Sequence, residues 1–274
     1  MSSAVHSIAQ TGFGSGTNEL YDRARPSYQP LALSHIRDAV KTTPINVVEV
    51  GAGTGIFTRA FLAHPQWTSA LNELRAVEPS KGMCDVFTKN VSDERVSITQ
   101  GTFEKTGIED GWADIVIVAQ AFHWCPDFAR ASAEFARILK PTGVLALIWN
   151  LEDRDSAKWV AQVRDRIERH ENGSPQFRLG LWRQAFATAA YQESFEPPQE
   201  KTWSAPLPAT HDIVVDRACS KSYIAILPDE EKAKVRVDLE VVVEKGEGKV
   251  WINESEGTFE YPYKTYLVIA QKKV

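Results

Sequence analysis

The residues best placed to do chemistry form a glycine-rich turn from Gly51 to Gly55, which follows an apolar run containing Glu49. Glycine permits a tight turn and, because it has no Cβ, lets a ligand approach the backbone. A helix predicted to begin after the turn offers free N–H groups to a polar ligand. Glu78 ends the next predicted strand, about 20 residues further on, where a carboxylate meets a ribose diol in nucleotide-binding folds. The pattern predicts a ligand containing a nucleoside.

Two features of the sequence argue against a nicotinamide dinucleotide as the ligand. Short-chain nicotinamide oxidoreductases carry a Tyr-x-x-x-Lys pair, and neither Tyr191 nor Tyr223 has a lysine four residues later. The glycine spacing is G-x-G-x-G, whereas the dinucleotide motif is G-x-G-x-x-G. Glu49 is expected to be buried at the strand end, where its carboxylate needs N–H groups or the ammonium of a ligand as partners. Hydride transfer is therefore disfavoured, although the sequence leaves it open.

Alternating apolar and amphipathic segments are expected to position these residues in a parallel α/β fold. Predicted strands of the sheet are 46–50, 74–78, 95–99, 113–119 and 143–149, with a short strand near Trp203. Ser80 and Asp127 are predicted to cap helices. Later helices are predicted near 156–171, 178–191, 211–226 and 229–244. The last runs, 258–261 and 263–272, are expected to form one closing strand bent at Pro262.

The composition excludes several classes of protein. The chain has 274 residues, of which 43% are hydrophobic and 24% charged, as is typical of a globular protein with one or two domains. A net charge of -5 provides no general positive field for nucleic acid. The three cysteines lack CxxC spacing, which favours a reducing compartment over disulfides or structural zinc. Without a signal pattern or a long apolar run, we expect a cytoplasmic protein with no membrane, nucleic-acid or metal partner.

Further motifs lie along the whole chain. They are Y-x-x-x-R-P-x-Y at residues 21–28, A-Q-A-x-H-W at 119–124, Leu-Lys-Pro-Thr-Gly at 139–143, Ser222-Tyr223, and Pro-Tyr-Lys-Thr at 262–265. Together with the glycine turn and Glu78, they resemble class I S-adenosylmethionine-dependent methyltransferases, specifically the small-molecule branch that includes trans-aconitate methyltransferases. Thr142 stands where glycine is commoner in that branch. The resemblance implies a Rossmann-like, mostly parallel sheet of seven strands with an antiparallel final hairpin, helices on both faces and a helical substrate cover.

The resemblance also implies S-adenosyl-L-methionine as cofactor and S-adenosyl-L-homocysteine as product. The residues expected to bind the cofactor are Tyr21, Arg25, Glu49, Gly51, Ala52, Gly53, Thr54, Gly55, Glu78, Pro79, Met83, Thr102, Phe103, Gln120 and Ala121. The glycines are expected to meet the methionine portion, Glu49 the loop or the ammonium, and Glu78 the ribose. Phe103 is expected either to flank the adenine or to be ordinary core.

The remaining candidates concern the substrate. The aromatic residues expected to form a substrate wall, unless they are simply core, are Trp124, Trp149, Trp182 and Tyr223. His123 is the candidate general base, with a structural role as the alternative. Arg25 is expected to meet a carboxylate of the cofactor or the substrate.

We therefore expect methyl transfer to a small-molecule acceptor by in-line displacement, driven mainly by proximity and desolvation. The alternatives are an inactive S-adenosylmethionine-binding protein of the same fold and, less favoured, a dinucleotide-dependent oxidoreductase. Residues 1–45 are predicted to form an arm that closes the cofactor site, and 46–150 the cofactor-binding core. Residues 151–227 are predicted to be the helical substrate cover with a short strand, and 228–274 the C-terminal helix and closing strands. A monomer or homodimer is expected.

Overall fold

The computed structural model describes residues 18–274, so residues 1–17 of the predicted arm lie outside the described part. Within this range the strands are β1 (Ile45–Val50), β2 (Leu71–Val77), β3 (Val96–Thr99), β4 (Ala113–Ala119), β5 (Leu139–Glu152), β6 (Gln199–Ser204), β7 (Leu207–Ala209), β8 (Trp251–Asn253), β9 (Thr258–Tyr261) and β10 (Tyr263–Gln271). Seven of them form one sheet in the order β3-β2-β1-β4-β5-β10-β6. The first five run parallel, whereas β10 is antiparallel to both β5 and β6. The predicted Rossmann-like sheet is confirmed.

Helices follow most of the parallel strands. The described helices are α1 (Asn18–Ala24), α2 (Pro30–Ala39), α3 (Ile56–Ala63), α4 (Pro65–Thr68), α5 (Lys81–Asn90), α6 (Phe128–Ile138), α7 (Lys158–Glu168), α8 (Ala189–Ser194), α9 (His211–Cys219), α10 (Ser222–Ala225) and α11 (Asp229–Lys245). The predicted caps are confirmed, since Ser80 accepts a hydrogen bond from the Met83 N–H and Asp127 from the Arg130 N–H. Among the helices of residues 18–274, none has the length and apolar character needed to cross a membrane.

The main sheet is buried on both faces, as the unbroken apolar run of β4 predicts. Every residue of β4 is buried. Ile115 and Ile117 pack in one hydrophobic core, and Val116 and Val118 pack in a second core on the other face. Because successive side chains of a strand point to opposite faces, this alternation requires an apolar layer on each side. The carboxyl ends of the parallel strands are thereby held rigidly at one edge.

Three predictions about the C-terminal half are wrong. The closing segment is not one bent strand, because the chain changes sheets at Pro262: β9 pairs with β7 and β8 in a small antiparallel sheet, whereas β10 enters the main sheet. The predicted helix over 178–191 is instead a series of 3₁₀ turns followed by α8. Gly180 interrupts it with a left-handed φ of 67°. Similarly, α9 and α10 are separate because Lys221 is extended.

The helices after β5 pack beside the main sheet around a third core. Trp159 of α7, Val214 of α9 and Leu239 of α11 are buried together there with residues of the small sheet. The short strand predicted near Trp203 is confirmed as β6, which forms an edge of the main sheet. The segment 151–227 therefore supplies both helices beside the sheet and one of its strands.

Candidate active site

A crevice lies at the carboxyl ends of β1, β2 and β4, where the glycine turn and Glu78 meet. We call it the nucleoside crevice, and its lining includes Gly51, Gly53, Glu78, Met83, Phe103 and Ala121. An inner recess beside it is lined by Tyr21, Arg25, Glu49, Thr54 and Gln120, together with parts of the same glycine turn. In open α/β sheets, ligands bind at this edge, where successive crossovers leave on opposite faces.

The three glycines of the turn are required for different reasons. At Gly53 the backbone is left-handed, with φ of 57°, and an added Cβ would meet only the Met83 sulfur, at 3.7 Å. The space above Gly53 is therefore open to a ligand. A Cβ at Gly51 would lie 2.6 Å from the Cβ of Ala121. A Cβ at Gly55 would lie 2.7 Å from Val91, so this glycine permits helix packing and does not line the crevice.

Glu78 occupies the wall opposite the turn and is bound to the backbone on both sides. Its Oε2 accepts a hydrogen bond from the Gly53 N–H at 3.0 Å, and its Oε1 accepts one from the Ser80 N–H at 2.9 Å. Burial raises the pKa of Glu78 to about 7, although these two N–H groups act in the opposite direction. Each carboxylate oxygen has a second lone pair. Glu78 can therefore accept hydrogen bonds from a vicinal diol.

Glu49 is a buried carboxyl group with one satisfied and one unsatisfied oxygen. Its Oε2 accepts a hydrogen bond from the Thr58 hydroxyl at 2.6 Å, whereas no partner for Oε1 exists among residues 18–274. Burial raises the pKa of Glu49 to about 8. An unpaired oxygen this deeply buried is costly unless a ligand supplies a donor. The inner recess is therefore suited to a cationic group.

Gln120 lies where the crevice, the recess and a second cavity meet. Its backbone has φ of 56°, an uncommon value for a residue with a Cβ. Reciprocal hydrogen bonds hold it, because its Nε2 donates to the Asn150 carbonyl at 2.9 Å and its Oε1 accepts from the Asn150 N–H at 3.2 Å. Asn150 in turn binds the Ser27 carbonyl and the Thr265 hydroxyl. Asn150 thus joins the N-terminal segment to the ends of β4, β5 and β10.

The second cavity has a volume of about 300 Å³ and lies between the ends of β4 and β5 and the helices that follow. It shares Tyr21, Gln120 and Trp124 with the nucleoside crevice. Its other walls include His123, Trp149 and the residues from Lys221 to Tyr223. The two spaces are therefore adjacent, as the sites for two reactants must be.

Charged side chains line one end of the second cavity. Glu152 accepts from Lys221 at 2.6 Å and from Arg164 at 3.0 Å. Burial opposes ionisation, but these two cations together hold the pKa of Glu152 well below its usual range. Burial lowers the pKa of Lys221 to about 7. Glu152 acts in the opposite direction, whereas Arg25 and Arg164 lower this pKa further. Arg164 also pairs with Glu168 at 2.8 Å, so Glu152 is the one carboxylate partner of Lys221 among residues 18–274.

Helix α1 covers the junction from the N-terminal side. Arg25 donates to the Ser220 hydroxyl at 2.9 Å and lies 4.9 Å from the centre of the Tyr21 ring. Asp22 of α1 pairs with Arg59 of α3 at 2.8 Å. The guanidinium of Arg217 donates to the Ala24 carbonyl at 2.8 Å. Helix α1 and the residue that follows it are therefore bound both to α3 and to the end of α9.

Comparisons with known proteins agree with this geometry. Residues 48–147 match the family model described as a methyltransferase domain. An uncharacterized methyltransferase-like protein of Schizosaccharomyces pombe is 31% identical over 228 residues, covering 81% of this chain and 82% of that protein. An uncharacterized methyltransferase of Mycobacterium tuberculosis is 32% identical over 222 residues, covering 81% of each chain. The chain belongs to the S-adenosylmethionine-dependent methyltransferases.

The solved structures support the fold of this methyltransferase. The YcgJ protein of Bacillus subtilis has a TM-score of 0.54 with 21% sequence identity, and the match covers 90% of this chain and 100% of that one.

Most of the predicted site residues of the methyltransferase line the three connected spaces. Those that do are Tyr21, Arg25, Glu49, Gly51, Ala52, Gly53, Thr54, Glu78, Pro79, Met83, Thr102, Phe103, Gln120, Ala121, His123, Trp124, Trp149 and Tyr223. Phe103 combines the two predicted possibilities, since it lines the crevice and packs edge-to-face on Phe122. Gly55 and Trp182 do not line these spaces.

Trp182 belongs to the core of the methyltransferase. Its ring lies 4.8 Å from that of Trp149 and 5.3 Å from that of Phe177, and its Nε1 donates to the Phe177 carbonyl at 3.1 Å. Its side chain is 1% exposed. Trp182 therefore supports Trp149 from behind and is not part of a substrate wall.

Sequence reasoning missed three polar residues of the site, namely Asn150, Glu152 and Lys221. Asn150 and Glu152 lie at the carboxyl end of β5, so the rule that ligands bind at this edge would have indicated them. Lys221 directly precedes the Ser222-Tyr223 motif. No spacing pattern connects Lys221 with Glu152, because only the packing of α10 against the end of β5 brings them together.

Proposed function

We propose that this methyltransferase transfers the methyl group of S-adenosylmethionine to a carboxylate oxygen of a small molecule, forming a methyl ester. The proposal rests mainly on the second cavity, which adjoins the nucleoside crevice and presents Arg25, Lys221 and the buried Tyr223 hydroxyl as donors to an anion. It agrees with the resemblance to the branch of trans-aconitate methyltransferases. Residues 151–227, which supply much of this cavity, are proposed to determine the choice of acceptor.

The nucleoside crevice fits the cofactor. Glu78 has lone pairs free for the ribose hydroxyls, and the open space above Gly53 admits a ligand to the backbone. The unpaired Oε1 of Glu49 would receive the ammonium of the methionine portion. Phe103 and Met83 offer apolar surface to the adenine. When bound, the cofactor supplies an electrophilic methyl group on a sulfonium.

Arg25, Lys221 and Tyr223 are suited to hold an acceptor carboxylate. Arg25 has no carboxylate ion-pair partner in the described part of the chain. Lys221 shares Glu152 with Arg164 and has further N–H donors available. The Tyr223 hydroxyl is buried in the cavity wall and has no partner among residues 18–274. An anion would give the unpaired cation and the unsatisfied hydroxyl their missing partners.

The titration of the cavity also favours an acceptor that is already ionised. A carboxylic acid has a pKa near 4 and is a nucleophilic anion at neutral pH, whereas a hydroxyl or an ammonium must first lose a proton. Burial, together with Lys221 and Arg25, lowers the pKa of His123 to about 3, which makes it a weak base. Catalysis then depends on the alignment of the two reactants and on exclusion of water, which together exceed the contribution expected from a base.

The test is to incubate the purified methyltransferase with methyl-labelled S-adenosylmethionine and a fractionated metabolite extract. We expect the label in the acidic fraction, in products that release volatile methanol in alkali, because esters hydrolyse under conditions that leave methyl amines and ethers intact. Glu78→Ala serves as the control without cofactor binding, and Arg25→Met as the control that retains the crevice and loses one cation. Label that stays bound after alkali would refute the ester while leaving methyl transfer in place.

A further inference from the structure

His123 has a defined orientation in the wall of the second cavity. It lies in the 3₁₀ turn Phe122–Trp124, directly after β4. The indole Nε1 of Trp149 donates a hydrogen bond to its Nδ1 at 3.2 Å. Within residues 18–274 no hydrogen bond engages the other ring nitrogen, Nε2, although the residue lines the cavity. One nitrogen is thus bound to the protein and the other is left for a ligand.

The bond from Trp149 determines which nitrogen carries the proton. An indole N–H is only a donor, so the Nδ1 that it contacts must present a lone pair and carry no hydrogen. A neutral imidazole then has its single proton on Nε2. The surroundings argue against a second proton, since burial of the ring and the nearby Lys221 and Arg25 all oppose a positive charge on it. Glu152, which lines the same cavity, forms its ion pairs with Lys221 and Arg164.

Trp149 cannot easily turn away from His123. It is fully buried near the carboxyl end of β5, where it pairs with Tyr266 of β10. Its ring is in contact with Trp182 at 4.8 Å and with Phe177 at 4.9 Å between centroids. Aromatic packing of this kind restricts the indole to one orientation. The direction of its N–H is therefore set by the core and not by the cavity.

We propose that His123 donates a hydrogen bond from Nε2 to an oxygen of the methyl acceptor, and that Trp149 is the positioning residue that holds His123 in this tautomer. This inference rests on the proposed function to the extent that the acceptor presents an oxygen to the second cavity. It replaces the predicted role of general base, because the lone pair of Nδ1 is occupied by Trp149 and Nε2 already carries a proton. His123 then binds the acceptor and moves no proton.

The first test needs no substrate. Two-bond ¹H–¹⁵N correlation spectra of protein labelled at its 6 histidines distinguish the two neutral tautomers from the cation. The signal that disappears in His123→Gln identifies the residue. We expect the neutral form with the proton on Nε2 at about neutral pH, and a mixture of tautomers in Trp149→Phe. A proton on Nδ1, or a cation at neutral pH, in the wild-type protein would overturn the proposal.

The second test compares variants in the labelled-methyl assay with the same metabolite extract. His123→Phe removes the donor and should reduce methyl transfer about 10- to 100-fold, the usual value of one hydrogen bond to a charged group. His123→Gln retains an N–H at a similar distance and should recover most of the activity. Trp149→Phe should cost more activity than Trp182→Phe, which removes an indole from the same core without touching His123. Binding of S-adenosylhomocysteine should be unchanged in all four variants.

The outcomes separate this inference from the proposed function. If the labelled products resist alkali but His123→Gln still exceeds His123→Phe, the ester is wrong and the donor role stands. If the two histidine variants are equally impaired, or if Trp182→Phe matches Trp149→Phe, the donor role is wrong whatever the acceptor. If the wild-type protein labels nothing in the extract, the proposed function fails and the tautomer spectrum decides the inference.

Discussion

Glu78→Gln should gain stability relative to the wild-type methyltransferase as the pH rises, and at the same time bind the cofactor more weakly. The wild-type carboxylate is buried beside the glycine turn, and burial raises its pKa from 4.5 to about 7. Glutamine has nearly the same shape and never ionises, but its amide nitrogen cannot accept, so either the Gly53 or the Ser80 N–H loses its acceptor. The substitution therefore removes the energetic cost of a buried charge and also the acceptor that a ribose diol requires.

The magnitude follows from the pKa difference. A group whose pKa is raised in the folded state stabilises the fold below its unfolded pKa, and this contribution is lost as the pH rises through the folded pKa. For Glu78 the difference between the unfolded pKa of 4.5 and the folded pKa of about 7 corresponds to a loss of about 3 kcal/mol in the free energy of unfolding. Because one backbone N–H loses its acceptor at every pH, the variant should be less stable than the wild type by about 1–3 kcal/mol at about pH 4, and the difference should shift by about 3 kcal/mol in its favour by about pH 8. Its Kd for S-adenosylhomocysteine should rise about 10- to 100-fold, since one charge-assisted hydrogen bond is lost.

Two assays check this prediction. Urea unfolding at the two pH values measures the difference in stability, and isothermal titration calorimetry measures the Kd. Asp114→Asn provides a contrasting control, because this buried carboxylate pairs with Lys140 at 2.8 Å, far from the crevice. The reasoning would be refuted if the stability of Glu78→Gln relative to the wild type did not rise between the two pH values, or if the variant bound S-adenosylhomocysteine normally.

The remaining predictions concern burial at and behind the site. Binding of S-adenosylhomocysteine at about pH 7 should release nearly one proton, because Glu49, whose pKa is raised to about 8, ionises beside the ligand ammonium. Calorimetry in buffers of different ionisation enthalpy measures the number of protons released, and a value of zero would contradict this prediction. Glu152→Gln should lower the free energy of unfolding by about 3–5 kcal/mol in urea, since it leaves Lys221 without a carboxylate and Arg164 with Glu168 alone, and a loss well below this would mean that water already solvates them. Trp182→Ala should lower the free energy of unfolding by about 3–5 kcal/mol, because it leaves a cavity in the core, but it should not change the Kd for S-adenosylhomocysteine. A changed Kd would mean that Trp182 contributes to the binding site.

The nucleoside crevice could be predicted because its parts lie close together in the sequence. A strand, a glycine turn and a helix are consecutive, and the acid that faces them ends the next strand. Local backbone rules therefore suffice to place Gly53 and Glu78 at one edge. The same rules could not distinguish the role of Gly55 from that of Gly53, since the residue that excludes a Cβ at Gly55 is Val91, which directly follows α5.

The second cavity could not be predicted in the same way. Trp149 and Trp182 look alike in the sequence, but one contacts His123 and the other lies behind it in the core. The role of His123 also depends on a bond from another strand, which no local pattern contains. The change of sheet at Pro262 could not be predicted either. The alternating residues on both sides of it fit a strand of either sheet, and only pairing with distant strands places β9 in the small sheet and β10 in the main sheet.

The amino-acid sequence by itself determined the order of strands and helices, the burial of the sheet and the glycine turn at its edge, because these follow from local periodicity and backbone freedom. The tertiary structure alone decided which charges share a carboxylate, which aromatic rings face the second cavity and which nitrogen of His123 the indole of Trp149 contacts. Those properties depend on contacts between residues distant in the chain, whose energies arise only when packing removes water and brings the groups within hydrogen-bond distance.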